Sequence, residues 1–317
     1  MTQTSISLPK QKVYSLDYFK PIPEGYPISA NVVLDSINTF GHRLTTLEII
    51  YPRYLLPEVN THRVFSRNTS SSRAIPFNKQ LDLLANKIVE PIRYGKNRPG
   101  MQAAPENIRG EDLETARRIW REMAEFNMQG CLKLHKLGLH KQWVSRPLEW
   151  IMTTRMLVSS TEWDNFFLLR DHEDAQDEMR ILAQTIKIAL NNSTPTLKDF
   201  GEWHIPYVTD KDIKTLDLYN LIKVSVARCA RVSYKTNQGN ISSIEEDLAL
   251  FNKLSRGFQE NGNQTDPLHA SPFEHQALPV TFEDEVTFSN FVGWIQARKF
   301  LESGCFTREK LNPNPDD

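Results

Sequence analysis

Two apolar-rich runs, Val32 to Ile37 and Leu44 to Tyr51, flank the turn-forming residues Asn38-Thr39-Phe40-Gly41, and this pattern predicts a β-hairpin. Pro52 then opens a short helix-like segment, with Pro57 as a possible kink, that leads into a polar stretch at residues 61–73. Amphipathic spacing predicts helices over Asn78 to Tyr94 and Glu111 to Leu137, separated by a polar loop from Gly95 to Gly110. In the second of these, Ala116, Ile119, Met123, Phe126, Met128 and Leu132 recur near helical spacing. Trp143 to Val158 is rich in apolar and aromatic residues. Glu173 to Leu190 reads as a helix with Met179, Leu182, Ile186 and Leu190 on one face.

Beyond Leu216 the pattern predicts a helix to Cys229 and another from Ser243 to Glu260, the latter opened by the capping sequence Ser-Ile-Glu-Glu. A turn-rich linker, Asn261 to Pro267, leads to a strand over Phe273 to Phe282 and a last helix from Val286 to Leu301 carrying Trp294, Ile295 and Phe300. The first thirty residues, with Pro9, Pro21, Pro23 and Pro27, are expected to form an extended arm (1–30), and 31–317 one domain. The middle of the chain is expected to be mostly helical.

A chain of 317 residues can bury a full core without metal or disulfide staples. Its net charge of −1 makes any basic site local, which disfavours general binding to duplex nucleic acid. Cys131, Cys229 and Cys305 lie far apart with no C-x-x-C pair, arguing against a disulfide framework and a cysteine-rich zinc site. A reducing, cytoplasmic setting is the expectation. The opening residues hold no apolar core of signal-peptide length, and no later segment approaches a membrane span, so a soluble protein is expected.

Residues 61–73, Thr-His-Arg-Val-Phe-Ser-Arg-Asn-Thr-Ser-Ser-Ser-Arg, change the picture most. Arg63, Arg67 and Arg73 are unopposed by any acid inside the window, and hydroxyls surround them. Guanidinium forks and hydroxyls match the oxygens of phosphate, so the stretch is a candidate anion site.

Four blocks carry a resemblance to the flavin-dependent thymidylate synthases. The family signature is Arg-His-Arg, seven residues and Ser; here His62-Arg63 precede Ser71 by that spacing, with Asn68 and Arg73 in register. Gly138 to Arg146, followed by Pro147, resembles the family helix ending in an arginine. Phe166 to Glu178 resembles its Phe-Leu-x-Leu-Arg segment ending Ala-Gln-x-Glu. A fourth block, Ala230 to Tyr234 with His269 to His275, resembles elements that precede the signature in the family, which implies a circular permutation or partial duplication over about 216–303.

The resemblance implies an α/β (α+β) fold: a curved, mostly antiparallel sheet flanked by helices, in a homotetramer or a dimer. It implies transfer of a one-carbon unit from 5,10-methylenetetrahydrofolate to C5 of dUMP, with NADPH reducing FAD. Arg170 is then the catalytic arginine beside the pyrimidine ring. Glu58, Ser71, Arg73, Arg146 and Arg170 form the dUMP set, and His62, Arg63, Asn165, Ser233 and Ser271 the FAD set. His269 and His275 lack a matching carboxylate and histidine cluster, so no metal is expected.

Departures from the family pattern fall mainly on flavin positions. Thr61, Thr69 and Ala74 replace arginine, glutamate and tyrosine of the signature, Ser159 and Thr161 stand where asparagine and arginine are frequent, and Asp174 replaces a histidine. Glu58 stands where glutamine is usual, and a carboxylate there could accept from the exocyclic amine of cytosine. Two alternatives therefore stay open: a dUMP or dCMP hydroxymethyltransferase, and a non-catalytic nucleotide-binding relative.

Overall fold

The computed structural model describes residues 12–16, 23–232, 242–255, 269–280 and 287–311. Ser233, the linker Asn261 to Pro267 and much of the expected N-terminal arm lie outside them. Strands β1 (Ser29–Asn38), β2 (Arg43–Pro52), β3 (Ser66–Thr69), β4 (Thr153–Ser160) and β5 (Thr196–Lys198) form one sheet in the order β3-β4-β2-β1-β5. Every pairing is antiparallel except β1 with β5. The fold is thus mixed α/β with a mostly antiparallel sheet and flanking helices.

The first helices are α1 (Leu56–Asn60), α2 (Phe77–Asn86), α3 (Gly110–Lys136), α4 (Lys141–Val144), α5 (Asp164–Arg170) and α6 (Asp177–Asn191). Then come α7 (Asp210–Thr215), α8 (Leu218–Arg231) and α9 (Ile244–Leu254). Short strands β6 (Ala277–Pro279), β7 (Thr287–Phe288), β8 (Phe291–Val292) and β9 (Trp294–Gln296) precede α10 (Ala297–Glu302) and α11 (Arg308–Leu311). The hairpin forms where its pattern places it. The Asn38 side chain closes the turn by accepting from the backbone N–H of Phe40 and His42 at 3.1 and 2.9 Å. The capping box at α9 is also present, between Ser243 and Glu246.

Four expectations are corrected. The polar stretch is not all loop: Ser66–Thr69 pairs with β4, whose own apolar run does not distinguish strand from helix. The helix expected to Tyr94 stops at Asn86, because Lys87 turns extended and the N–H of buried Val89 bonds to the Ile151 carbonyl at 2.9 Å. The helix expected over Val286 to Leu301 is replaced by β7, β8 and β9, and only Ala297–Glu302 is helical. Gly293 explains the break, since its φ is +72° and a Cβ there would lie 2.3 Å from the His42 ring. Finally, α3 buries Ala124 and Cys131, while Ile119, Met123 and Phe126 face outward.

The two faces of the sheet find different cover because side chains alternate along each strand. Leu47, Ile49 and Tyr51 of β2 with Met156 and Val158 of β4 pack against α5 and α6, where Met179, Leu182, Ile186 and Leu190 line the expected helical face. The opposite face is mixed: Leu44 packs with Ala277, Phe291 and Trp294, Leu157 packs with Cys229 and Val232, and a polar row runs across it. Thr46 Oγ1 and Ser159 Oγ lie 2.6 Å apart; Thr46 also meets His204 Nε2 at 2.8 Å, and Ser159 meets His275 Nδ1 at 2.8 Å. His204 Nδ1 reaches Ser36 Oγ at 2.8 Å.

Residues 203–311 supply that cover and carry their own core around Trp203, Ile222, Val226, Phe251, Phe273 and Leu301. Within it, buried Arg228 bridges Asp212 at 2.6 Å and Asp247 at 2.8 Å, tying α7, α8 and α9 together. The charge is matched and hydrogen-bonded, as a buried ion must be. Asn38 Nδ2 to the Gly293 carbonyl, at 2.9 Å, and Gln296 Nε2 to Ser66 Oγ, at 2.8 Å, fasten the two halves further.

His204 and His275 are both 0 % exposed, and burial lowers each pKa to about 3. A proton on either would leave a charge in the seam, and His275 Nε2 has no acceptor among the described residues. An unfolded histidine titrates near 6.5, on the order of the ordinary value. The unfolded chain therefore binds protons first, so stability is full above that pH and declines as pH falls toward 3. The urea midpoint should drop between pH 7 and pH 4.5, roughly the window these values define. A double variant, His204→Gln with His275→Gln, should flatten the dependence; an equally steep profile in that variant would refute this assignment.

Candidate functional site

Hydrogen bonding sorts the residues that follow β3 into two sets. Ser70 Oγ meets Thr154 Oγ1 and the Arg155 N–H, each at 3.1 Å, while Arg53 donates to the Ser70 carbonyl at 3.0 Å. Ser72 donates to Glu149 at 2.5 Å, and Gln80 Nε2 donates to the Ser72 carbonyl at 2.7 Å. Ser70 and Ser72 are thus spent on the scaffold. Ser71 and Arg73, between and after them, line a cleft of about 520 Å³ together with Arg67 and Thr69.

The facing wall comes from the last third of the chain: Ala230 at the end of α8, Leu254 at the end of α9, and His269, Ser271 and Pro272. Buried Asn68 joins the walls, donating to the Cys229 carbonyl at 2.9 Å and accepting from Ser271 Oγ at 2.9 Å. His140 and Gln142, at the start of α4, complete the lining. His140 Nδ1 accepts from the Gln142 N–H at 3.3 Å, so a neutral ring carries its proton on Nε2. No carboxylate lines this cleft, and Arg73 has no acidic partner among the described residues. Half-buried Arg67 is fixed by the carbonyls of Val59 and His62 at 3.1 and 3.2 Å. The arrangement suits an anion with several oxygens.

Arg170 lies elsewhere. Its guanidinium at the end of α5 donates from Nε to His62 Nε2 at 2.9 Å, pairs with Glu58 at 3.0 Å and reaches Thr61 Oγ1 at 3.1 Å. His62 packs edge-on to Phe166, and burial, then the charges of Arg170 and Arg67, lower its pKa to about 4. The hydrogen bond from Arg170 requires the same neutral state, because Nε2 must offer a lone pair. Thr61, which replaces an arginine of the signature, here accepts a bond from Arg170.

Of the nucleotide set, Ser71 and Arg73 therefore share the cleft. Arg146 does not line it: the side chain is 52 % exposed and pairs with Glu149 at 3.1 Å, the carboxylate that also holds Ser72. Glu58 and Arg170 form a separate corner. Of the flavin set, His62 is held by Arg170, Arg63 and Asn165 are exposed, Ser271 lines the cleft and Ser233 lies outside the described residues. These residues do not form one cradle within a single chain. His140, Gln142 and His269 were not assigned to the site from sequence, although all three fall inside the quoted blocks; their side chains are simply not the family's charged positions.

No curated protein matches the chain. Among solved structures, it resembles the UMP/dUMP methylase PolB from Streptomyces cacaoi, whose crystal structure has 5-Br dUMP bound. The identity is 13 % over 51 % of this chain and 89 % of that one, with a TM-score of 0.40, a likeness too slight to carry a functional argument. The family model described as thymidylate synthase complementing protein matches residues 35–196, from β1 to the start of β5 and just over half of the sequence. Strand β3, the Ser71/Arg73 wall and the Arg170 corner all fall within that match, and the chain belongs to the thymidylate synthase complementing protein family.

Proposed function

We propose that the protein modifies a pyrimidine deoxynucleotide at C5, with dUMP methylated to dTMP. The observation that carries this reading is the cleft holding Ser71, Arg73 and the Nε2 face of His140, with no carboxylate among the described residues that line it. Three donors of different geometry, one of them a permanent cation, bind a monophosphate without needing a metal. Membership of the family supports the remaining chemistry: methylenetetrahydrofolate supplies the one-carbon unit, and FAD reduced by NADPH, when bound, supplies the hydride.

Arg170 is the residue assigned to the ring. A fixed guanidinium beside the pyrimidine oxygens favours the charge that develops when C5 attacks an electrophilic carbon. Glu58 both positions and partly offsets that charge. Arg73 and Arg170 meet one nucleotide if the site closes between copies of the chain, the homo-oligomeric arrangement the resemblance implies. We read residues 216–303 as the permuted segment, since His269 and Ser271 form the second wall of the phosphate cleft.

A second reading, hydroxymethyl transfer to dUMP or dCMP, is favoured by the scattered flavin candidates and by the Glu58–Arg170 pair. Water then captures the C5 methylene and no hydride is needed. The ultraviolet-visible spectrum of the purified protein, followed by mass spectrometry of products from dUMP and dCMP in competition, separates the readings. Flavin absorbance with NADPH-dependent dTMP formation supports methylation. Folate-dependent hydroxymethyl product without flavin supports the second reading, and no product from either nucleotide defeats both.

Two substitutions test the assigned roles. Arg73→Ala should weaken nucleotide binding at least tenfold by calorimetry, about 1.4 kcal/mol, and unchanged affinity would count against the phosphate assignment. Arg170→Ala should abolish turnover while leaving the circular dichroism spectrum close to that of the parent. Turnover within about tenfold of the parent would remove Arg170 from the mechanism.

A further inference from the structure

Each nitrogen of the Arg170 guanidinium meets its own acceptor. Nε donates to His62 Nε2 at 2.9 Å, Nη1 to Glu58 Oε2 at 3.0 Å and Nη2 to Thr61 Oγ1 at 3.1 Å. All three acceptors belong to α1 or the turn that follows it. Both terminal nitrogens carry a second N–H, and neither of these has an acceptor among the described residues. Those two N–H groups are what Arg170 can offer a ligand.

The polarity of every contact is settled. Glu58 presents a carboxylate oxygen. The Thr61 hydroxyl gives its own proton to the Glu58 carbonyl at 2.6 Å, so only its lone pairs face Arg170. An arginine Nε–H can only donate, so His62 Nε2 is bare and a neutral ring carries its proton on Nδ1. The three partners differ in rigidity. Thr61 is exposed and the Glu58 side chain is 39 % exposed, whereas His62 is 6 % exposed, edge-on to Phe166 and stacked with Phe65. Its backbone is held too, since Arg67 of the cleft wall donates to the His62 carbonyl at 3.2 Å. A bond to Nε, the nitrogen nearest the side-chain stem, also fixes the plane in which the terminal nitrogens lie.

We infer that His62 is the positioning residue of the Arg170 corner, its bare Nε2 setting the plane of the guanidinium and thereby the direction of the two remaining N–H groups. The inference rests on the reading of Arg170 as the residue at the pyrimidine ring, where an orientation settled before binding spares reorganisation during reaction. The resemblance places His62 with the flavin; here its buried acceptor is spent on Arg170. Thr61 serves the same end. An arginine at 61, as in the signature, would remove an acceptor and set a second cation against Arg170.

His62→Leu removes the acceptor at similar bulk, and His62→Gln keeps one in reach of Arg170. In the assay with dUMP and dCMP, His62→Leu should lower turnover by about tenfold or more, and His62→Gln should recover most of that loss. The affinity of the cleft for inorganic phosphate and the circular dichroism spectrum should stay at parent values in both. The Arg170 Nε–H resonance, identified by its absence from Arg170→Lys, should shift in His62→Leu and return toward the parent position in His62→Gln. Turnover of His62→Leu within about threefold of an active parent, equal losses in the two variants, or a parallel fall in phosphate affinity overturns the positioning role. If the parent acts on neither nucleotide, the functional reading fails and the resonance decides alone: a shift reversed by His62→Gln upholds His62 as the residue that orients Arg170, and an unmoved resonance overturns it.

Discussion

The contact on which the rest depends is the hydrogen-bonded row Ser36, His204, Thr46, Ser159 and His275 between the sheet and the C-terminal third. A sheet face bearing hydroxyls cannot be sealed by apolar side chains, since each buried group left unpaired costs about 1–3 kcal/mol. The partner surface must return one donor or acceptor for each, and two neutral imidazoles do so because each ring offers both. The same row fixes the height of the segment His269 to Pro272 above β3. The row bonds both ring nitrogens of His204 and the Nδ1 of His275 across the seam, and an apolar replacement within it would disturb the neighbouring wall of the site.

Charge is distributed around this frame with a clear division. Carboxylates accompany the cations that hold structure together: Asp212 and Asp247 around Arg228, Glu149 beside Arg146 and Glu58 on Arg170. Among the described residues the cleft wall has none, which leaves Arg73 available to an incoming anion. Arg170 is intermediate, anchored by three partners and still partly exposed. An anchored guanidinium is well placed to act on a ligand, since its orientation is settled before binding.

Much of this was legible in the residues. The hairpin, the helical face of α6 and the capping box at α9 follow from local periodicity and capping rules, and the donor-rich stretch lines one wall of a cleft. What stayed hidden depends on distant partners. Strand β4 reads Thr-Thr-Arg-Met-Leu-Val-Ser-Ser, without alternation, and β3 pairs with it along its whole length. Gly293 breaks the last expected helix with a positive φ, at a place where His42, far away in sequence, leaves no room for a Cβ. The outward face of α3 reads as core by spacing alone, because periodicity reports that a stripe exists and not what covers it. Gathering Ser71 with His140 and Ser271 required the tertiary fold.

The segment from Ser66 to Arg73 has a further property. Side chains there alternate between scaffold and cleft, with Ser70 and Ser72 bonded inward and Ser71 and Arg73 turned out. Its tolerance to change is consequently a matter of parity. Swapping one hydroxyl residue for another preserves the facing of its neighbours, but a residue inserted within Ser66–Thr69 shifts the strand's register against β4 and inverts the facing there. Selection on this stretch should therefore act more severely on its length than on its composition.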